Sequence, residues 1–353
     1  MLISAIRSSL PRRSERNVVY TLSGGWDSRL LAALASRRRR RLNTWTTKKH
    51  LPIDADASIA RTVAEHLGSN HREITPTLSQ QRLELVSALS RFHHATWLHS
   101  WLEPLASGIR EQQHPIVDGL GGDILLKGLL QVPDDDQSGK ELTARYALWQ
   151  RLGGWSASKE HVWSGAARAM FNDIAFDDFD NAIAPCADSP NWQTLAILVT
   201  RTARGIALSP TRLFGPEVRV FLPFLSRDSV TAALSPEVHR VRGAALYRQL
   251  ISSVDLDLGL MPSTNDVQVR SEMNTQTAAY HPETLKHIAD TVTRRDPAIS
   301  LLGPRLTGIL MRADVNGLAE AMNQTGPSRA IFGAYAYASW LNDHPHVKDG
   351  LLP

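Results

Sequence analysis

Apolar positions in the first third of the chain alternate between short continuous runs and stretches with helical spacing. The runs predict strands over 17–22, 42–47, 71–75 and 115–119, and the spacing predicts helices over 28–38, 55–67, 78–92 and 98–111. Strand and helix in alternation specify an α/β fold, a parallel sheet with helices on both faces. Such sheets present their ligand crevice at the carboxyl ends of the strands. Ser23 to Ser28, Thr46 to Lys48 and Gly119 to Asp123 all fall at those ends, so three separate motifs are expected to converge on one crevice.

Beyond Lys127 the pattern changes. Val132 to Gly139 is a polar, turn-rich break. After it, apolar residues keep helical spacing over 141–152, 158–171, 191–207, 228–235, 244–254, 283–294 and 328–342, with no repeat period. The division expected is an α/β core over 1–130 and a mainly helical remainder over 131–353 that covers the crevice. Trp149, Trp155, Trp163 and Trp192 read as core residues of that remainder.

The densest chemistry lies in Ser23-Gly24-Gly25-Trp26-Asp27-Ser28, between the apolar run ending at Leu22 and the helical pattern from Leu30. Two glycines let the backbone fold close to an anion. The first N–H groups of the following helix are unpaired and carry the positive end of its dipole. Ser23 and Ser28 add hydroxyls, and Asp27 would repel phosphate unless a divalent cation sat between them. The loop therefore implies a magnesium nucleotide. It lacks the Gly-Lys-Ser/Thr of a Walker loop, the third spaced glycine of a dinucleotide fingerprint and the flanking glycines of a nucleophile elbow.

Ser-Gly-Gly-x-Asp-Ser resembles the loop of enzymes that split ATP between its α and β phosphates. Asp56 to Ile74 resembles the second helix and third strand of asparagine synthetases. Ile116 to Gly128, with Gly119, Gly121, Gly122 and Asp123, is similar to that family's second signature, and Val218-Arg219-Val220-Phe221-Leu222-Pro223-Phe224-Leu225 to its arginine-to-Pro-Phe-Leu segment. The resemblance is specific over about 15–130 and looser over about 195–345. It implies an adenine nucleotide α-hydrolase-like fold and an ATP-dependent carbon–nitrogen ligase. Ser23 to Ser28 would cradle the pyrophosphate, with Gly119 and Gly121 in the second turn of the ATP site. Leu22 and Thr46 would lie near the adenosine, and Asp27 and Asp123 would hold Mg2+.

The chemistry that follows is attack of a carboxylate on the α-phosphate of ATP, giving an acyl-adenylate, then capture by an amine. That needs positioning and charge stabilisation rather than a covalent protein nucleophile. Lys127, Arg219 and Arg248 are the candidate catalytic cations.

Departures from the family shape the expected substrate. Position 2 is Leu2, not the cysteine of a glutaminase domain, so the chain is not expected to draw ammonia from glutamine by itself. Leu120 stands where asparagine synthetases carry a glutamate and β-lactam synthetases a tyrosine, and it can be neither acid nor base. Ala244 replaces an expected lysine. These changes favour a substrate that already carries its amine, as in lasso-peptide macrolactam synthetases, with a precursor peptide and a separate protease as partners. The alternatives are an asparagine synthetase-like subunit fed ammonia from elsewhere, and a nucleotide-binding protein without catalysis.

Composition adds little. A chain of 353 residues, 42% hydrophobic and 21% charged, can bury a large core. The basic run Arg37 to Arg41 reads as a cationic helix end, and no nucleic-acid partner is expected. The single cysteine, Cys186, rules out an internal disulfide. No signal peptide or membrane span is apparent, so a cytoplasmic location is expected.

Overall fold

In the computed structural model, described over residues 1–38, 41–132, 141–154, 161–266, 268–269 and 277–346, β1 (Val19–Thr21) lies at the centre of a five-stranded sheet. Its neighbours are β2 (Asn43–Thr47) and β4 (Ile116–Val117). Beyond them lie β3 (Asn70–Ile74) and β5 (Val220–Phe221), giving the order β3-β2-β1-β4-β5. All pairings are parallel. β2 is built from Asn43-Thr44-Trp45-Thr46-Thr47, residues that favour a pleated, half-buried surface. Its buried threonines are satisfied: Thr44 Oγ1 bonds Ser69 Oγ and His71 Nδ1, and Thr46 Oγ1 donates to the Leu22 carbonyl at 2.6 Å.

The order of strands fixes where a ligand can enter. The chain runs outward from β1 through β2 to β3, then returns to the other side of β1 as β4. Right-handed crossovers therefore place α2 (Trp26–Ser36) and α3 (Ala55–His66) on one face and α5 (Glu103–Gln112) on the other. On that second face, Trp45 packs against Gly108 of α5, where an added Cβ would stand 3.3 Å from the ring. The switch point lies between β1 and β4, directly beneath the turns that follow them. α3 starts where Asp54 accepts the Ala57 N–H at 3.1 Å, and α2 starts at Gly25 without a side-chain cap.

The four strands expected in the first third are present, each end within two residues of its expected place. β5 was not foreseen as a strand, because two residues are too short to show a period. The expected helix over 158–171 forms instead as Gly165–Ile183, after Ser164 accepts the Ala167 N–H; 158–160, Trp155 and most of the polar break lie outside the described residues. Short helices at Pro236–Val241, Leu256–Leu260, Asp296–Ile299, Pro304–Met311 and Val315–Met322 were also unforeseen.

The chain forms two compact units. One comprises 1–76, 101–129 and 206–277 and contains the sheet; the other comprises 77–100, 130–205 and 278–353. Residues 206–277 belong to the unit with the sheet. The second unit is helical, and its core gathers Leu285, Ile288, Val292, Leu306, Leu310, Ile331 and Tyr335 around α4 (Gln81–Arg91) and the long helix Thr325–Asp343. No helix among the described residues is long and apolar enough to cross a membrane.

Glu73 ties β3 to its surroundings. Arg61 holds its carboxylate through two hydrogen bonds of 2.6 and 2.9 Å, and Lys48 adds an ion pair at 3.1 Å. The Arg61 bonds, aided by Lys48, hold this carboxyl down at about 2. A depressed acid stabilises the fold above its unfolded value near 4.5 and loses that contribution as pH falls through about 2. Glu73→Gln should cost about 1 kcal/mol at pH 7, since Arg61 is half exposed. Urea melts at decreasing pH should show the difference from wild type shrinking below pH 4.5.

Candidate active site at the sheet switch point

The turn after β1 and the turn after β4 meet at the switch point. Leu22 is buried and donates its N–H to the Trp45 carbonyl at 2.8 Å, while its own carbonyl takes the Thr46 hydroxyl. These two expected adenosine neighbours thus lie side by side at the ends of β1 and β2. The serines of the glycine loop are bonded to one another at 3.0 Å, and Ser28 Oγ also accepts the Ser23 N–H at 3.0 Å. The Gly24 N–H goes to Asp56 Oδ1 at 3.0 Å and the Gly25 N–H to Ser23 Oγ at 3.2 Å. The loop is therefore pre-shaped by its own groups, and a phosphate would have to compete for those two amides.

Glycine is required here by close approach. A Cβ on Gly24 would stand 2.8 Å from Thr264 Cγ2, and one on Gly119 would stand 3.0 Å from the Asp27 Cβ. At Gly122 it would lie 2.6 Å from Asp27 Oδ1 and 2.8 Å from Tyr247 Oη. Gly121 adopts φ +89°, a conformation that side chains resist. The second turn is thus wrapped onto the aspartate of the first.

Asp27 is the electrostatic centre. Tyr247, fully buried on the helix Ala244–Val254, donates its hydroxyl to Asp27 Oδ1 at 2.6 Å. Burial, with the charges of Asp123 and Asp118 nearby, pushes the Asp27 carboxyl up to about 7, against the opposing pull of Lys127 and the tyrosine bond. Burial also raises Asp118, which accepts the Leu120 N–H at 2.8 Å and the Thr21 hydroxyl at 3.4 Å. Asp123 opens a π-helical turn, Asp123–Lys127, that returns Lys127 toward the loop. Lys127 hydrogen-bonds Asn265 and lies 5.6 Å from the Trp26 ring centroid, and Arg248 lies 5.4 Å from the same ring while pairing with Asp266.

Lys127 and Arg248 are therefore gathered at the glycine loop by Trp26. Arg219 is not. It precedes β5, pairs with Glu15 at 3.1 Å and lies over the Phe221 ring, at the amino-terminal edge of the sheet. The glycine loop and Asp123 follow the carboxyl ends of β1 and β4, so the structure does not bring Arg219 together with Lys127 and Arg248. Leu120 is buried, 8% exposed, and Ala244 is exposed at the start of its helix.

Several residues of the site were not singled out from the sequence. Asp118 had a local signal, an acid ending the apolar strand Ile116-Val117. Asp56, Tyr247, Arg29 and the segment Met261 to Asp266 had none, because their roles depend on contacts distant in sequence. Arg29 is fully buried and donates to the carbonyls of Leu258 (3.0 Å), Met261 (3.0 Å), Pro262 (2.5 Å) and Gly24 (3.3 Å). Ser263 Oγ and the Thr264 N–H also donate to the Gly24 carbonyl, at 2.9 and 3.1 Å. The loop and this segment form one hydrogen-bonded body.

Residues 2–169 match the family model of asparagine synthase. The matched stretch, a little under half of the chain, is similar to a synthetase domain of that family. No curated protein matches the chain. The asparagine synthase family comprises ATP-dependent ligases, and the match supports a ligase domain over the matched residues. The donor set fits Mg2+, which takes one or two carboxylates together with substrate phosphates and water. Asp27, buried beside two like charges, is a group whose ionisation a cation would favour. A three-ligand cluster exists elsewhere among the described residues, at His66, Asp255 and Asp257, but His66 and Asp257 are exposed there.

Two mutations and one control test this architecture. Arg29→Met should destabilise the chain by about 3 kcal/mol in urea unfolding, because four carbonyls lose a shared charged donor. Gly122→Ala should cost about 1–3 kcal/mol through overpacking against Asp27 and Tyr247. Gly165→Ala, with nothing within 4 Å of the new Cβ, should be neutral or slightly stabilising.

Proposed function

We propose that this asparagine synthase-type domain activates a carboxylate as an acyl-adenylate at the switch-point crevice and transfers it to an amine. The observation that carries the reading is Asp27, buried at the mouth of the glycine loop with Asp123 and Asp118 beside it and Lys127 opposing them. Such a site is incomplete without added positive charge and is built where a nucleotide enters a parallel sheet.

In the proposed reaction a carboxylate oxygen of the substrate attacks the α-phosphorus of ATP. The bond to the bridging oxygen breaks, and pyrophosphate leaves with the electron pair. The amine nitrogen then attacks the acyl carbon, AMP departs, and the amine proton passes to solvent. Asp27 and Asp123 would hold Mg2+, whose chemistry here is to neutralise phosphate charge. Lys127 and Arg248, held at Trp26, add fixed positive charge beside the loop. Tyr247 fixes the orientation of the Asp27 carboxylate.

The reading extends to the substrate through Leu120. Its apolar, buried side chain supplies no acid or base next to Asp118, which favours a substrate carrying its own amine, such as a peptide closed into a macrolactam. Chromatography of nucleotides after incubation with magnesium-ATP and candidate precursor peptides should give AMP and pyrophosphate. ADP would refute the reading, and turnover only with aspartate plus ammonium would move the substrate to free amino acid. Asp27→Asn and Asp123→Asn should each abolish this turnover while leaving the circular dichroism spectrum unchanged. Mg2+ should raise the melting temperature of wild type but not of Asp27→Asn, which keeps an oxygen for Tyr247.

A further inference from the structure

The amino-terminal edge of the sheet carries a cavity of about 980 Å³, at the upper end of the range for ligand pockets. Three stretches distant in sequence line it: the residues before β1, those before β2, and the turn into β3. Between them they contribute four arginines, Arg13, Arg16, Arg38 and Arg41, against a single acid, Glu15. That acid is already engaged by Arg219 at 3.1 Å. Arg13, Arg16 and Arg41 are exposed and have no ion-pair partner among the described residues. The half-buried Arg38 donates to the Arg7 carbonyl at 2.6 Å. A cavity lined by charge of one sign concentrates ions of the other.

The run Arg37 to Arg41 reads in the sequence as a cationic helix end, and α2 does end at Ser36. A helix dipole reaches only about one turn, which accounts for Arg37 and Arg38. Arg41 lies five residues beyond Ser36, and Arg13 five beyond the helix Leu2–Ser8, so that reason does not cover them. The same geometry selects the kind of anion. Each lining stretch follows the carboxyl end of a helix, Leu2–Ser8, α2 or α3, and among the described residues no helix N-terminus of the kind that cradles compact phosphate lines the cavity. The charge is instead spread over separate guanidinium forks, which match carboxylates. Asn70 Nδ2 donates to Asn43 Oδ1 at 3.2 Å, which leaves an amide donor on Asn43 and an acceptor on Asn70 for a peptide unit.

We propose that this cavity docks an acidic peptide segment of a partner protein, its carboxylates paired with Arg13, Arg16, Arg38 and Arg41 and its backbone met by Asn43 and Asn70. The glycine loop follows the opposite, carboxyl end of β1, so the docked segment leaves the crevice open. The site lies wholly within the unit that contains the sheet and does not depend on the adenylation reading.

Isothermal titration of the full chain with a peptide of alternating glutamate and glycine, and with its glutamine counterpart, tests it. The acidic peptide should bind about tenfold tighter than the neutral one at about 50 mM salt and lose most of that advantage at about 500 mM. Arg16→Glu combined with Arg41→Glu should abolish the preference. The charge-matched pair Arg212→Glu with Arg240→Glu, at exposed positions outside the lining, should leave it within about twofold. Melting temperatures establish that both double variants fold. Glu15→Gln should tighten the acidic peptide by about twofold, a gain that damage to the fold does not produce. Asp27→Asn should bind the peptide as wild type does, so a failed adenylation assay and a failed cavity are told apart. Equal binding of the two peptides, or equal loss in the two double variants, would overturn the proposal. So would tripolyphosphate or single-stranded DNA that binds tighter than the acidic peptide and is lost with Arg16→Glu and Arg41→Glu.

Discussion

A single buried guanidinium holds the candidate site together. Arg29 lies on the first turns of α2 and is fully shielded from water, yet it is surrounded by carbonyl oxygens rather than by a carboxylate. Burial draws its basicity down to about 10, which leaves it charged at neutral pH. A charge buried this way is tolerated only where oriented dipoles replace its hydration. The consequence is geometric: Gly24 cannot move without Leu258, Met261 and Pro262 moving too. Asn265 and Asp266, which hold Lys127 and Arg248, extend from the same clamped segment.

Against that positive anchor the crevice concentrates negative charge. Asp27 and Asp118 are both raised by burial, and the glycines at 119 and 122 leave no room for side chains that would separate the two turns. The fold thus tolerates an unfavourable electrostatic arrangement at one place, beside the hydrogen bonds that Arg29 and Ser263 make to the Gly24 carbonyl. Such local conflict is characteristic of sites selected for binding rather than for stability. The stretch that matches asparagine synthase, residues 2–169, includes both turns.

The sheet was largely legible because period and punctuation were strong. Val18 to Leu22 is apolar and ends at two glycines; Asn43 to Thr47 is rich in β-formers; both strands fell where expected. β5 was hidden, since Val220 and Phe221 are extended only because Ile116 and Val117 pair with them. Arg219 illustrates the limit of motif reading. Its segment looked related to the site, but an arginine before a parallel strand lies at the amino end, away from the glycine loop. Tyr247 carried no signal at all: a tyrosine with apolar residues at helical spacing reads as core, and its hydroxyl finds Asp27 only after 220 residues of chain have folded. The π turns were equally invisible, because widening by one residue leaves no periodic mark over five residues.

The strand order has a consequence for how the protein is made. β5 closes the sheet by pairing residues 116 and 220, and the Arg29 clamp joins positions 229 residues apart. Loop closure over such spans is slow compared with helix formation. On a ribosome, the first three strands emerge early and can pair, but the edge beside β4 stays unprotected until 220–221 have left the tunnel. The crevice is completed later still, once 258–266 arrive. The nascent chain therefore exposes an unpaired β4 edge through roughly a hundred residues of synthesis, so its yield depends on the pace of translation and on chaperone cover during that interval.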